Sequence, residues 1–64
     1  MIMFTENEKK IWKDVLTEGV IMDHKAFVMD NGKMNNQYEV FYNDEMYYIT
    51  YWDDELIYVH HVIK

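Results

Sequence analysis

The sequence predicts an α+β fold in two layers, with one N-terminal helix packed on a four-stranded antiparallel β-meander. Three observations predict it. Tyr38–Trp52 reads as two aromatic-rich runs around a polar break at Asn43-Asp44-Glu45, which is how a β-hairpin is written. Ile11, Trp12, Val15 and Leu16 recur at helical spacing ahead of it. Extended, β-branched runs on either side of the hairpin supply two outer strands. The expected bounds are a helix at about 6–18 and strands at about 20–30, 37–43, 46–52 and 55–63, all in a single domain spanning 1–64.

In chain order, Thr5-Glu6-Asn7-Glu8 is a capping box, in which the Thr5 hydroxyl and the Glu8 carboxylate each satisfy the other's backbone N–H. Glu6 and Glu8 also place negative charge at the positive end of the helix dipole. Gly19 is expected to end the helix as a left-handed residue. The chain then runs extended from Val20 to about Asp30. Asn31-Gly32 is a turn signal, and the polar run Lys33 to Gln37 reads as part of a longer loop.

Register follows from the two-residue side-chain period. A two-residue turn at Asp44-Glu45 or Asn43-Asp44 sets Tyr38, Val40 and Tyr42 on one face with Tyr47, Ile49 and Tyr51. A strict two-residue turn at Asn31-Gly32 would bring Asp23 and Lys25 onto that face. One extra residue brings Ala26 and Val28 instead, so an irregular connection is expected. Asp53-Asp54 makes the last tight turn. The helix is expected to cover Val28, Val40, Tyr42, Ile49, Tyr51 and Leu56.

The opposite face would then carry Ile21, Phe27, Met29, Phe41, Tyr48, Trp52, Ile57, Val59 and Ile63. One short helix shields one face only, and a large contiguous apolar patch usually marks an interface. A second copy of the chain is the simplest cover, because twofold dimers dominate among oligomers. The candidate dimer face is Phe27, Met29, Phe41, Tyr48, Ile57 and Val59. A strongly curled sheet that shares one core between its faces is the rival arrangement.

Composition narrows the function. Chains below roughly 70–80 residues rarely draw more than about 3–5 kcal/mol from one core, and this one has 64 residues and no cysteine to staple it. Twelve acidic against six basic residues give a net charge of −6, which repels nucleic-acid phosphates and anionic membranes and favours a basic protein partner. Met1–Phe4 is too short for a signal peptide, and no apolar run approaches a membrane span. A soluble, cytoplasmic protein is expected.

Candidate chemistry is sparse. The three histidines are His24, His60 and His61, and neighbours on a strand face opposite ways, so His60 and His61 do not converge on one metal. Polar positions at a sheet edge explain them better than a metal site. Asp44-Glu45 and Asp53-Asp54-Glu55 sit in consecutive turns, hence about one strand length, roughly 17–20 Å, apart. That separation excludes a glycosidase-like acid pair. Solvated turn acids are the plainer reading, and an acidic interaction surface the sharper one. The six tyrosines alternate at strand period and suit packing or an interface better than base stacking, which needs a positive groove. With no serine, cysteine or arginine and only two glycines, no nucleophile–base pair or phosphate loop is legible, and no enzyme or cofactor is expected.

Small size, acidity, aromatic richness, absence of cysteine and an AT-rich residue usage together resemble the small inhibitors that bacteriophages encode. The resemblance implies stoichiometric binding to a host defence or nucleic-acid-processing protein, in some cases by imitating the charge of DNA. The expected partner surface is Asp44, Glu45, Asp53, Asp54 and Glu55 beside Trp52, with a homodimer as the working unit. The alternatives are an assembly module docking through an apolar sheet face, and a ligand- or metal-binding regulator using His24, His60 and His61.

Overall fold

A computed structural model describes residues 3–63. Helix α1 spans Glu6–Glu18, and strands β1 (Val20–Val28), β2 (Met34–Tyr42), β3 (Glu45–Trp52) and β4 (Glu55–Val62) follow in one sheet of order β1-β2-β3-β4. All three strand pairings are antiparallel. The result is one helix packed against a four-stranded antiparallel meander, as the sequence predicts.

The helix begins where its cap dictates. Glu8 N–H donates to Thr5 Oγ1 over 3.1 Å and Thr5 N–H donates to Glu8 Oε1 over 2.9 Å. Its end corrects an expectation. Gly19 is extended, with φ −75° and ψ 176°, and is not left-handed. Glycine is required there by proximity: a Cβ would lie 2.6 Å from Val40 Cγ1 and 2.7 Å from the Val15 carbonyl oxygen. The chain turns from helix into β1 directly over the C-terminal part of β2.

The core lies between α1 and the inner strands. Val15, Val40, Ile49, Tyr51 and Leu56 are buried, and Trp12, Leu16, Tyr38, Tyr42, Tyr47 and Val59 pack around them. Burying a side chain the size of Val40 or Ile49, both fully enclosed, contributes roughly 1.5–3 kcal/mol. Ile11, counted in the helix's apolar stripe, is instead 48% exposed. Val28 is 65% exposed and lies outside the helix footprint, because every residue of β1 is exposed.

The turns explain the registers. Asn43 and Asp44 both adopt positive φ, 53° and 65°, the geometry whose twist suits a two-residue hairpin. The β1–β2 connection is the irregular one expected, Met29 to Lys33, closed by Met29 N–H to the Lys33 carbonyl at 2.8 Å. It is shorter than expected because Met34–Gln37 belongs to β2, where Asn36 pairs with Ala26 and Met34 with Val28. Pairing along β1 outweighs the weak strand propensity of the asparagines.

Two bulges change which side chains share a face. Between Ile21 and Asp23 the β1 register slips past Met22, so Ile21 lies opposite Val40 on the helix side. In β4 the slip falls at Ile57: Leu56 pairs with Tyr51, yet Tyr58 pairs with Thr50 and Val59 with Ile49. An extra residue inverts the parity of everything beyond it. Val59 therefore joins the helix-side core, and Tyr58 and His60 turn outward. Met29 lies in the connecting loop and Ile63 beyond β4, so neither is part of the sheet.

Candidate functional site

The helix-free face of the sheet is built from four cross-strand rows, since directly opposed residues of antiparallel strands share a face. Val20, Phe41, Met46 and Val62 form an apolar row at one end. Next comes Asp23, Glu39, Tyr48 and His60, then Lys25, Gln37, Thr50 and Tyr58. Phe27, Asn35, Trp52 and Glu55 close the other end. The centre of this face is polar and aromatic, where the sequence reading expected an apolar surface. The bulge at Ile57 accounts for the β4 side, where it exchanges Val59 for Tyr58 and His60, while Asp23, Lys25, Glu39, Gln37 and Thr50 make the inner part polar.

The two middle rows enclose an open concavity of about 440 Å³. Asp23, Lys25, Glu39, Tyr48, Tyr58 and His60 line it. The His60 ring stands 6.3 Å from Tyr48 and 6.3 Å from Tyr58, nearly parallel to each at 14° and 4°. The neighbouring Glu39 carboxylate pushes the Tyr48 phenol above the ordinary tyrosine range. Carboxylates beside exposed aromatic faces form a receptor for a cationic side chain, through ion pairing and cation–π attraction.

The expected partner-binding residues are distributed differently. Asp44-Glu45 and Asp53-Asp54-Glu55 occupy opposite ends of the sheet, as consecutive turns of a meander must. Glu45 is already engaged: its Oε2 accepts from the Tyr47 hydroxyl at 2.8 Å and stands 3.3 Å from His61 Nε2. Tyr47 in turn stacks on His61 at 4.8 Å and meets Trp12 edge-on at 5.2 Å. Asp53 is engaged too. Its Oδ1 accepts from Met34 N–H at 3.0 Å while its own N–H donates to the Met34 carbonyl at 2.8 Å, tying the last turn to the start of β2. Asp44, Asp54 and Glu55 are exposed, and Glu55 stands beside the half-buried Trp52 on the helix-free face.

The candidate dimer face is divided as well. Phe27, Phe41 and Tyr48 lie on the helix-free face, but Phe27 and Phe41 stand at opposite ends of it, with the polar rows between. Ile57 sits at the β4 bulge, Val59 packs under the helix, and Met29 reaches back from its loop to within 3.7 Å of Asn35 Nδ2.

The histidines are separated. His60 faces outward, His61 faces the helix side, and His24 lies on the opposite edge strand, stacked on Tyr38 at 4.4 Å with its Nε2 3.0 Å from Asn36 Oδ1. Among the described residues, no group of three or more histidines and carboxylates is arranged to hold a metal ion. No described helix is long and apolar enough to cross a membrane. Sequence reasoning missed Asp23, Glu39, Tyr58 and His60 as one cluster. Their signal is purely one of register, and the bulge that aligns them leaves no residue signature at Leu56-Ile57-Tyr58. Comparison with protein-family models, with curated proteins and with solved structures found no match to this chain.

Proposed function

We propose that this chain is a small acidic protein-binding protein that acts in the cytoplasm by stoichiometric contact, without catalysis. Its target is a host defence or nucleic-acid-processing protein with a basic surface, as for the inhibitors that phages encode. The observation that carries this reading is the row Asp23–Glu39–Tyr48–His60 on a sheet face that no helix covers. Carboxylates and tyrosines set side by side on a rigid sheet receive lysine or arginine side chains from a partner. A net charge of −6 accelerates encounter with such a partner. Asp44 and Asp54, solvated at the two ends, add to that steering, and Trp52 with Glu55 extends the contact surface.

The test is titration of the purified protein into DNA-cleavage assays with a panel of bacterial restriction and repair nucleases. Inhibition of a susceptible enzyme is expected to saturate at a fixed molar ratio. Glu39→Lys combined with Glu55→Lys weakens it by tenfold or more while melting is unchanged, the loss expected when about 1.4 kcal/mol of contact is removed. Asp44→Lys combined with Asp54→Lys mainly slows association. No inhibition across the panel, or equal potency of all variants, contradicts the reading.

A second reading has its own observation. The apolar row Val20–Phe41–Met46–Val62 suits an assembly module that docks onto a larger protein. In that case Phe41→Asp abolishes binding and the charge reversals leave it intact.

A further inference from the structure

Strand β1 is the open edge of the sheet, and its sequence reads Val20-Ile21-Met22-Asp23-His24-Lys25-Ala26-Phe27-Val28. The polarity is symmetric about His24: three apolar residues, an acid, the histidine, a base, three apolar residues. All nine positions are exposed. We propose that β1 pairs antiparallel with β1 of a second copy of this chain, on a twofold axis at His24, joining the two sheets edge to edge.

Backbone geometry suits this register. The His24 N–H is bonded to its own Asp23 Oδ1 at 2.9 Å, so it points away from β2 and is available at the edge. In an antiparallel ladder alternate residues turn their backbone groups to the same side, so Ala26 shares that orientation. On the axis, His24 exchanges hydrogen bonds with His24 of the second copy. Asp23 and Lys25 share the helix-free face, as their partners Glu39 and Gln37 show. The pairing therefore sets Asp23 of each copy directly opposite Lys25 of the other, and Asp23 leaves the His24 N–H for that lysine.

Charge also selects the register. Sliding the second strand by two residues in either direction opposes Asp23 to Asp23 or Lys25 to Lys25, and like charges directly opposite are destabilising. The bulge at Met22 limits regular pairing to the segment from Asp23 to Lys25. The other edge offers no equivalent, since Glu55, at its first position, is the only Asp, Glu, Lys or Arg in β4. The pairing engages Asp23 and Lys25 at the rim of the concavity and leaves Glu39, Tyr48, Tyr58 and His60 open, so it shares only Asp23 with the row that carries the partner-binding reading.

Sedimentation equilibrium over a concentration series tests it with charge-swap variants. The unaltered protein is expected to be a dimer. Asp23→Lys alone and Lys25→Asp alone each put like charges opposite one another twice per dimer, and each is expected to weaken dimerisation by about tenfold or more. An equimolar mixture of the two single variants restores opposite charges and is expected to dimerise, as is the double variant. Recovery in the mixture also establishes that each variant folds. A monomer at every concentration overturns the proposal. So does a dimer that both single variants leave intact, or a mixture no tighter than its components.

Discussion

Gly19 lies against Val40 so closely that a Cβ on the glycine would stand 2.6 Å from Val40 Cγ1. The Val15 carbonyl, 2.7 Å from the same point, closes the other side. Val40 is fully buried near the C-terminal end of β2, so the helix-to-strand corner is held against the core. Gly19→Ala is expected to destabilise by about 1–3 kcal/mol, the usual cost of overpacking. Gly32 makes the contrast. Its φ is +85° with open space around it, so Gly32→Asn, a residue that tolerates that conformation, is expected to cost well under about 1 kcal/mol. Urea denaturation of both variants checks the pair.

Asp53 ties the turn between β3 and β4 to the start of β2. It holds φ 51° and its carboxylate accepts from Met34 N–H. Asp53→Ala loses the acceptor and strains the backbone, and is expected to cost about 1–3 kcal/mol. Asp53→Asn keeps an acceptor oxygen and tolerates positive φ, so it is expected to cost less than half as much. Equal losses in a thermal melt would mean that the charge, and not the hydrogen bond, is what matters.

Asn35 is 8% exposed, and its Oδ1 has no hydrogen-bond partner among the described residues. Replacing a buried group that is only partly satisfied with an apolar one of similar shape is neutral or favourable. Asn35→Leu is accordingly expected to leave stability unchanged or raise it by about 1 kcal/mol. A loss of more than about 1 kcal/mol would show the amide to be fully paired.

Glu45 raises the Tyr47 pKa above the ordinary 10.0, chiefly by accepting its hydrogen bond, with burial and the negative charge adding to the effect. Tyr51 is raised too, chiefly by burial. The native state thus holds these protons more tightly than the unfolded chain does. Their stabilising contribution is complete below pH 10.0 and is lost as pH rises through the raised native values. Ultraviolet titration of tyrosinate is expected to show a late-ionising fraction, and Glu45→Gln to bring part of it forward. A curve identical in the variant would remove Glu45 as the cause.

The elements themselves were legible in the sequence because each is written locally. Thr5 and Glu8 declare the helix start, the polar break Asn43-Asp44-Glu45 declares the hairpin though not which two residues turn, and alternation through Val40 and Ile49 declares the core. The helix-free face was legible in part: Phe27, Phe41, Tyr48 and Trp52 stand where alternation puts them, but Ile21 and Val59 do not. Those exceptions come from single-residue slips at Met22 and Ile57, and a bulge is decided by competing cross-strand pairings that no short segment encodes. Gly19 shows a related limit: the sequence marks a glycine at a helix end, but whether handedness or crowding requires it depends on Val40, distant in the chain. The candidate site was half visible, since Trp52 and Glu55 do stand on the open face while Glu45 and Asp53 are committed to internal hydrogen bonds.

The most direct test of the partner surface is an amide-resolved NMR titration of the labelled protein with a short arginine-rich peptide. The expected result is a set of shifts centred on Asp23, Glu39, Tyr48, Tyr58 and His60 that disappears in Glu39→Lys. Shifts confined to the turn acids Asp44 and Asp54, or no shifts at millimolar peptide on the order expected for a single-side-chain contact, would contradict the assignment of the helix-free face.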